Sequence, residues 1–258
     1  MTDHKKAPQQ GKNVTVKGDL GQSAAGKTDK NGELTVPEVE QTERHGVYIV
    51  GYTDGTFGPS RSMTRAEAAA IFARLLAEKN GDTISTAANT RFTDIPAHAW
   101  YSGYAKYLNN NGVTYGKSKT IFAPNDAITR AEFTTLAVRF FDVYGDGDAE
   151  IMEQFSEFND VSSGYWAAEY IKYAALHGWI NGYGDGSFHA EHEINRAEVV
   201  TIVNRLLGRE ADEDYIADNL RKLNTFPDVS RKHWAYYAVM EAANAHTAVL
   251  SESESWSK

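Results

Sequence analysis

Apolar residues recur along this chain in two alternating arrangements. The first is a helical stripe that follows a polar residue: Ile71, Phe72, Leu75 and Leu76 after Thr64; Leu136, Phe140 and Phe141 after Thr129; Ile202, Val203, Leu206 and Leu207 after Asn195. Steps of one, three and four put these side chains on one face of a helix. Thr64, Thr129 and Asn195 read as N-caps, and Glu67, Glu132 and Glu198, three positions on, complete capping boxes. The second arrangement is an amphipathic stretch such as Trp166, Tyr170, Tyr173, Ala174 and His177, with Gly178 placed to cap its C-terminus. "NGYGDGSF" then supplies glycines for a tight loop that turns the chain back. Phe57, Phe122 and Phe188, each eight positions before an arginine, read as core plugs. The pattern predicts helix, glycine-rich loop, capped helix, and a mainly α protein with very little strand.

These units repeat. The arginines of three "RAE" triplets, Arg65, Arg130 and Arg196, lie 65 and 66 positions apart. A second landmark, Phe-x-Asp followed by Trp, occurs at Phe92, Asp94 and Trp100, at Phe158, Asp160 and Trp166, and at Phe226, Asp228 and Trp234. Two independent landmarks in one register mark an internal repeat. The first "RAE" unit lacks a Phe-x-Asp half before it, and the last such half lacks an "RAE" half after it. The C-terminal half is therefore expected to pack where the missing first half belongs, closing a three-fold ring. The divisions are 1–45, a polar linker or remnant of a preceding domain; 46–90, the second half of repeat one; 91–150, repeat two; 151–212, repeat three; 213–250, the completing half; and 251–258, a mostly disordered tail that Trp256 could dock. "DVYGDGDAE" misses calcium-loop spacing and reads as an inter-repeat linker.

The 258 residues suffice for a sizeable core. A formal charge of −9 argues against nucleic acid as the main partner but leaves room for a small anion held by a local cationic cluster. The absence of cysteine excludes disulfides, thiolate metal sites and cysteine nucleophiles. No segment is long and apolar enough for a membrane span. The N-terminus lacks a signal peptide's apolar core, so a secreted protein with this sequence is expected to be a processed or excised piece. The glycine-rich loops lack the Gly-Lys-Ser/Thr ending of a phosphate loop. The 8 histidines show no paired ligand spacing, and neither a metal nor a cofactor is expected.

Capping does not explain Arg65, Arg130 and Arg196. A cation in the first helical turn opposes the helix dipole by about 0.3–1 kcal/mol. Two readings fit: an ion pair with an acid of the same or next unit, or an anion clamp that adds a bidentate guanidinium to the free N–H groups of a helix start. On the clamp reading, replacing one by alanine costs the helix little. Trp100, Trp166 and Trp234 begin amphipathic helices, which favours core packing, although an exposed edge could stack on a sugar ring.

The order Phe-x-Asp-Val, Trp-Ala, helix, Gly-Tyr-x-Asp-Gly-x-Phe, Thr-Arg-Ala-Glu resembles the S-layer homology (SLH) domain over roughly residues 46–246. The resemblance implies a fold of three helix–loop–helix repeats closing into a pseudo-three-fold, three-pronged spindle around a central helical bundle. It implies non-catalytic attachment of surface proteins to a bacterial cell wall, through a secondary polysaccharide carrying pyruvate ketals on N-acetylmannosamine, bound in inter-repeat grooves. The family's arginine maps onto Arg65, Arg130 and Arg196, its loop glycine onto Gly51, Gly116 and Gly182, and its tryptophan onto Trp100, Trp166 and Trp234. An extracellular, wall-associated location and a passenger N-terminal to residue 45 are expected with it. The middle loop departs, with Lys117 and Lys119 in place of Tyr and Asp; Asn195 replaces Thr, and Ala190 stands where Pro59 and Pro124 stand. Arg65 and Arg196 are therefore expected to matter more than Arg130. Readings from other classes are a glycan-cleaving enzyme, which needs only two suitably spaced carboxylates, and a protein–protein assembly module.

Overall fold

The computed structural model describes residues 13–17, 23–28, 34–35, 41–85, 87–145, 157–250 and 254–257. Among them the chain is mainly helical. An antiparallel sheet of β1 (Asn13–Lys17), β2 (Ser23–Thr28) and β3 (Leu34–Thr35) comes first, followed by β4 (Gln41–His45). The helices are α1 (Arg65–Asn80), α2 (Ser102–Asn110), α3 (Arg130–Tyr144), α4 (Ala168–Leu176), α5 (Arg196–Leu207), α6 (Glu213–Asn219) and α7 (Tyr236–Ala243). The chain ends in β5 (His246–Leu250) and β6 (Ser255–Ser257).

The longer helices start where the caps place them. Thr64, Thr129 and Asn195 each accept the N–H of the glutamate three residues on, and that glutamate's carboxylate returns to the cap's own N–H. Gly81 and Gly208 end α1 and α5 in the left-handed region, at φ 68° and 65°. Three backbone bonds then tie the segments before these helices into a closed cycle. Met63 N–H donates to Ile194 C=O at 3.0 Å, Ile194 N–H to Ile128 C=O at 3.0 Å, and Ile128 N–H to Met63 C=O at 2.9 Å. The next turn repeats the cycle: Ala66, Ala131 and Ala197 donate to the carbonyls of Pro124, Ala190 and Pro59. Only a carbonyl is needed there, so Ala190 serves as the prolines do.

Each Phe-x-Asp turn docks on a loop in the same way. Asp94 accepts the N–H groups of Phe122 and Ala123, and Asp160 those of Phe188 and His189. Asp228 does the same for Phe57 and Gly58, some 170 positions earlier. The ring pairs match as well: Phe92 on Phe122, Phe158 on Phe188 and Phe226 on Phe57, with centroids 5.3, 5.2 and 5.3 Å apart. Phe57, Phe122 and Phe188 are buried in the core. Phe72 of α1 packs on Phe133 and Phe140 of α3.

Strand content exceeds expectation. Residues 41–45, read as linker, form β4, which pairs antiparallel with β5, and β6 adds to β5's other side. The tail is ordered at 254–257: Trp256 is buried and stacks on His246 with centroids 3.8 Å apart. A polar strand such as "QTERH" carries no alternation to betray it, and its partner lies about 200 positions away. Much of the "DVYGDGDAE" linker lies outside the described residues.

Candidate ligand grooves

Three grooves of one composition lie where units meet. The first, a cavity of about 490 Å³, gathers Arg65 from the start of α1, Gly116 and Lys117 from the middle loop, Glu132 and Arg139 from α3, and Trp166. The second, about 280 Å³, gathers Arg130, Gly182 and Tyr183, Glu198 and Arg205 from α5, and Trp234. The third, about 230 Å³, gathers Arg196, Gly51 and Tyr52, Glu67 and Arg74 from α1, and Trp100. Each groove thus takes its arginine from one unit, its loop and helix from the following unit, and its tryptophan from the one after that. All nine residues singled out in the sequence come together in threes.

The triplet arginines form the floor. All three are buried, although each opens its helix at a position that favours an anion. The reason lies in their partners. Arg65 Nη1 is 3.1 Å from Glu132, Arg130 Nη1 is 2.9 Å from Glu198, and Arg196 Nη1 is 3.9 Å from Glu67. The pairing is cyclic, each arginine meeting the capping glutamate of the following unit. Each Nε–H also donates to the carbonyl of a core phenylalanine: Arg65 to Phe122 at 2.7 Å, Arg130 to Phe188 at 2.9 Å, Arg196 to Phe57 at 2.8 Å. Burial pulls the Arg196 guanidinium below the usual arginine range, opposed by Tyr52 and Glu67.

The loop residue after the glycine sets the groove's width. Tyr52 lies 4.6 Å from the Arg196 guanidinium and Tyr183 lies 5.0 Å from that of Arg130. Lys117 takes this place in the first groove and turns to Asp126 at 3.1 Å, leaving the widest cavity of the three over Arg65. Gly182 is needed for close approach: a Cβ there would meet the Phe158 ring at 2.5 Å and the Ser187 carbonyl at 2.6 Å. Gly116, at φ 77°, adds a backbone that disfavours any side chain.

Three residues that the sequence reading passed over belong to the same sites. Arg74, Arg139 and Arg205 stand nine positions after the triplet arginines, a register visible in the sequence. Among the described residues none of them meets a carboxylate within ion-pair distance. Arg74 lies over Tyr104, and Arg139 over Tyr115 and Tyr170. The buried arginine and its glutamate cancel, so the second arginine leaves each groove with one net positive charge. The lining of the first groove holds three cations, Arg65, Lys117 and Arg139, against two carboxylates, Glu132 and Glu191, again a count of one net positive charge. A locally cationic groove thus sits in a chain of net charge −9.

A protein-family model described as the S-layer homology domain matches residues 35–69, 91–134 and 157–200. The chain is an SLH-domain protein. It is 34% identical over 218 residues to "Cell surface glycoprotein 1" of Acetivibrio thermocellus, covering 81% of this chain and 9% of that protein. It is 30% identical to the "Cellulosome-anchoring protein" of the same organism, over 90% of this chain and 49% of that protein. It is 34% identical to the "Surface-layer 125 kDa protein" of Lysinibacillus sphaericus, over 62% of this chain and 13% of that protein. The chain therefore spans half or less of the length of these relatives. The family and these relatives place the SLH chain at the cell surface, associated with the cell wall, and no described helix is long and apolar enough to cross a membrane.

Three expectations about the SLH site need correction. Trp100, Trp166 and Trp234 are not core residues; they are 52%, 55% and 65% exposed. Each stands two residues before its helix, so the helical phase that suggested burial does not apply to it. The triplet arginines are not unpaired cations at helix starts: each is a buried member of an ion pair. The premise behind ranking Arg65 above Arg130 is also overturned: Arg65 faces the divergent "GKSK" loop while Arg130 faces the full "GYGDG" loop.

Among the described residues, the recurring acids of the SLH repeats have structural partners. Glu67, Glu132 and Glu198 serve as caps and ion-pair partners. The Thr56 hydroxyl beside Asp54 and the Ser187 hydroxyl beside Asp185 hold those carboxyls below the usual range. Burial pushes Asp160 up, but the Phe188 and His189 N–H groups outweigh it and hold it low. A glycosidase acid needs the opposite shift. Among the described residues, the one grouping of His, Asp and Glu within metal-ligand reach lies away from the grooves, at the chain's two ends.

Proposed function

We propose that the chain is a non-catalytic anchor that holds a surface protein to the bacterial cell wall by binding a pyruvylated secondary wall polysaccharide in its grooves. The observation that carries this reading is the recurrence, three times, of one net positive charge, a glycine that brings backbone close, and an exposed indole. A pyruvate ketal is a carboxylate on a sugar. It needs a cation for the anion and an aromatic face for the ring.

The roles divide by exposure. Arg65, Arg130 and Arg196 form the floor and fix the groove's shape while sharing their remaining donors with ligand. Arg74, Arg139 and Arg205 reach the carboxylate from the wall. Gly51, Gly116 and Gly182 admit the sugar to the loop backbone, and Trp100, Trp166 and Trp234 stack on the ring. The cyclic contacts support a pseudo-three-fold, three-pronged spindle around a central helical bundle. In it repeat one (46–90) is completed by 213–250, beside repeats two (91–150) and three (151–212). A passenger is joined N-terminal to residue 45.

The test is a pull-down of the chain with purified cell walls, before and after the secondary polysaccharide is extracted. Binding to intact walls and its loss on extraction is the expected result. Retention on walls stripped to peptidoglycan overturns the polysaccharide assignment.

A further inference from the structure

His45, Glu241, His246 and Glu254 converge at the point where the strand entering the repeats meets the end of the chain. They come from four places: the last residue of β4, helix α7, the first residue of β5, and the residue before β6. His45 and His246 are register partners across the β4–β5 ladder. His45 Nδ1 lies 3.1 Å from His246 Nε2, 3.2 Å from Glu241 Oε1 and 3.3 Å from Glu254 Oε1. His246 Nε2 lies 3.2 Å from Glu241 Oε2 and 3.4 Å from Glu254 Oε1. A regular tetrahedron of ligand atoms about 2.0–2.1 Å from a central ion has edges of about 3.3–3.4 Å. The five separations, 3.1–3.4 Å, are close to those edges, with Glu241 presenting Oε1 to His45 and Oε2 to His246, and one ligand atom from each of the four residues lies within 4.8 Å of the others.

The His246 lone pair faces inward. His246 Nδ1 is 3.0 Å from the Asn244 carbonyl, which can only accept, so the ring proton sits on Nδ1 and Nε2 turns its lone pair to the cluster. This is the outer hydrogen bond that orients metal-binding histidines. Both Glu241 oxygens are buried without a hydrogen-bond donor in line, although imidazole nitrogens stand 3.2 Å away. A buried carboxylate without such partners is costly unless a cation compensates it. Glu254 is held in place by the Glu210 N–H at 2.9 Å and the Trp256 Nε1–H at 3.1 Å, and Trp256 closes the site by stacking on His246.

We propose that these four side chains form a closed structural site for a divalent transition metal of the zinc class, which staples β4 to α7, β5 and β6. Two imidazoles with two carboxylates favour such an ion over magnesium or calcium, which prefer all-oxygen shells of six or more. Two neutral histidines and two carboxylates leave the bound ion with no net charge in a buried place. The linear sequence hides the site, because His45 and Glu241 are 196 positions apart.

The experiment uses the full chain, stripped with a chelator, desalted and titrated with zinc chloride. Metal content is read by mass spectrometry, cobalt(II) geometry by visible absorption, and stability by melting. We expect one zinc per chain, the intense absorption of four-coordinate cobalt, and a melting point raised by about 10 °C at zinc far above its Kd. Glu254→Gln, the partly exposed ligand, should weaken zinc binding by at least about a hundredfold while the far-ultraviolet spectrum is kept. Less than one-tenth zinc per chain after equilibration overturns the proposal. So does a weak six-coordinate cobalt spectrum, or unchanged affinity in Glu254→Gln. The zinc and cobalt readings on the unmodified chain decide the matter even where a variant fails to fold.

Discussion

Arg130→Ala separates the cyclic ion-pair floor from a simple helix start. If Arg130 were only a cation at a helix N-terminus, its loss would return about 0.3–1 kcal/mol. The structure gives it three acceptors: Glu198 at 2.9 Å, the Phe188 carbonyl at 2.9 Å and the Asn181 carbonyl at 3.3 Å. A charge-assisted bond is worth about 1.5–3 kcal/mol, and a buried carbonyl left without a donor costs about 1–3 kcal/mol more. Glu198 keeps the Asn195 N–H and the Tyr183 hydroxyl, both at 3.0 Å, which limits its own loss. The net expectation is a destabilisation of about 2–4 kcal/mol. For a domain of this size that is roughly 5–15 °C in Tm. The assay is urea unfolding of Arg130→Ala, Glu198→Gln and the double variant, with Arg196→Ala and Glu67→Gln in parallel. The Arg130–Glu198 coupling should exceed about 1 kcal/mol, and the Arg196–Glu67 coupling, across 3.9 Å, should fall below it. A single-variant cost under about 0.5 kcal/mol with no coupling refutes the buried-pair argument.

Other outcomes follow from the same contacts. Asp228→Ala removes the acceptor for the Phe57 and Gly58 N–H groups and should cost about 2 kcal/mol in urea unfolding; an unchanged midpoint would mean the C-terminal turn does not hold the first loop. Gly182→Ala should cost about 1–3 kcal/mol by overpacking, whereas Gly184→Ala, whose Cβ would meet nothing within 4 Å, should stay within about 0.5 kcal/mol; equal effects would contradict the close-approach role. Asp160 has its carboxyl pKa lowered on folding, so its contribution is complete above the unfolded value of about 3.9 and is lost as pH falls through the folded one. The stability gap between the unmodified chain and Asp160→Asn should therefore be constant from pH 7 to about 5 and close below about 4; a gap that persists to pH 2 would show that the carboxylate's charge is not what holds the loop.

The sequence was most legible where structure is local. The Thr64–Glu67 box, the left-handed Gly178 and the buried Phe188 each depend on residues within one unit, and repetition in register marked them. What was not legible depends on neighbours from other units. Arg65 and Glu67 stand two positions apart in one triplet, yet Arg65 pairs with Glu132 and Glu67 with Arg196; nothing in a linear repeat says which copy supplies the partner. The same crossing put Arg65 against the divergent Lys117 loop. Trp100 was misjudged because helical periodicity was extended two residues past the helix start. Arg74, Arg139 and Arg205 were findable from their constant step of nine, but an exposed arginine late in a helix gives no local sign of function. β4, β5 and β6 join segments about 200 positions apart, beyond the reach of periodicity.

The central claim is that grooves with one net positive charge recognise a carboxylate on a wall sugar. Its most direct test is calorimetric titration of the full chain with a pyruvylated fragment of wall polysaccharide and with the same fragment after mild acid removal of the ketal. Loss of the charge-assisted contacts should weaken binding by about 1.5–3 kcal/mol, roughly tenfold to a hundredfold. Equal affinity for the two fragments would contradict the account.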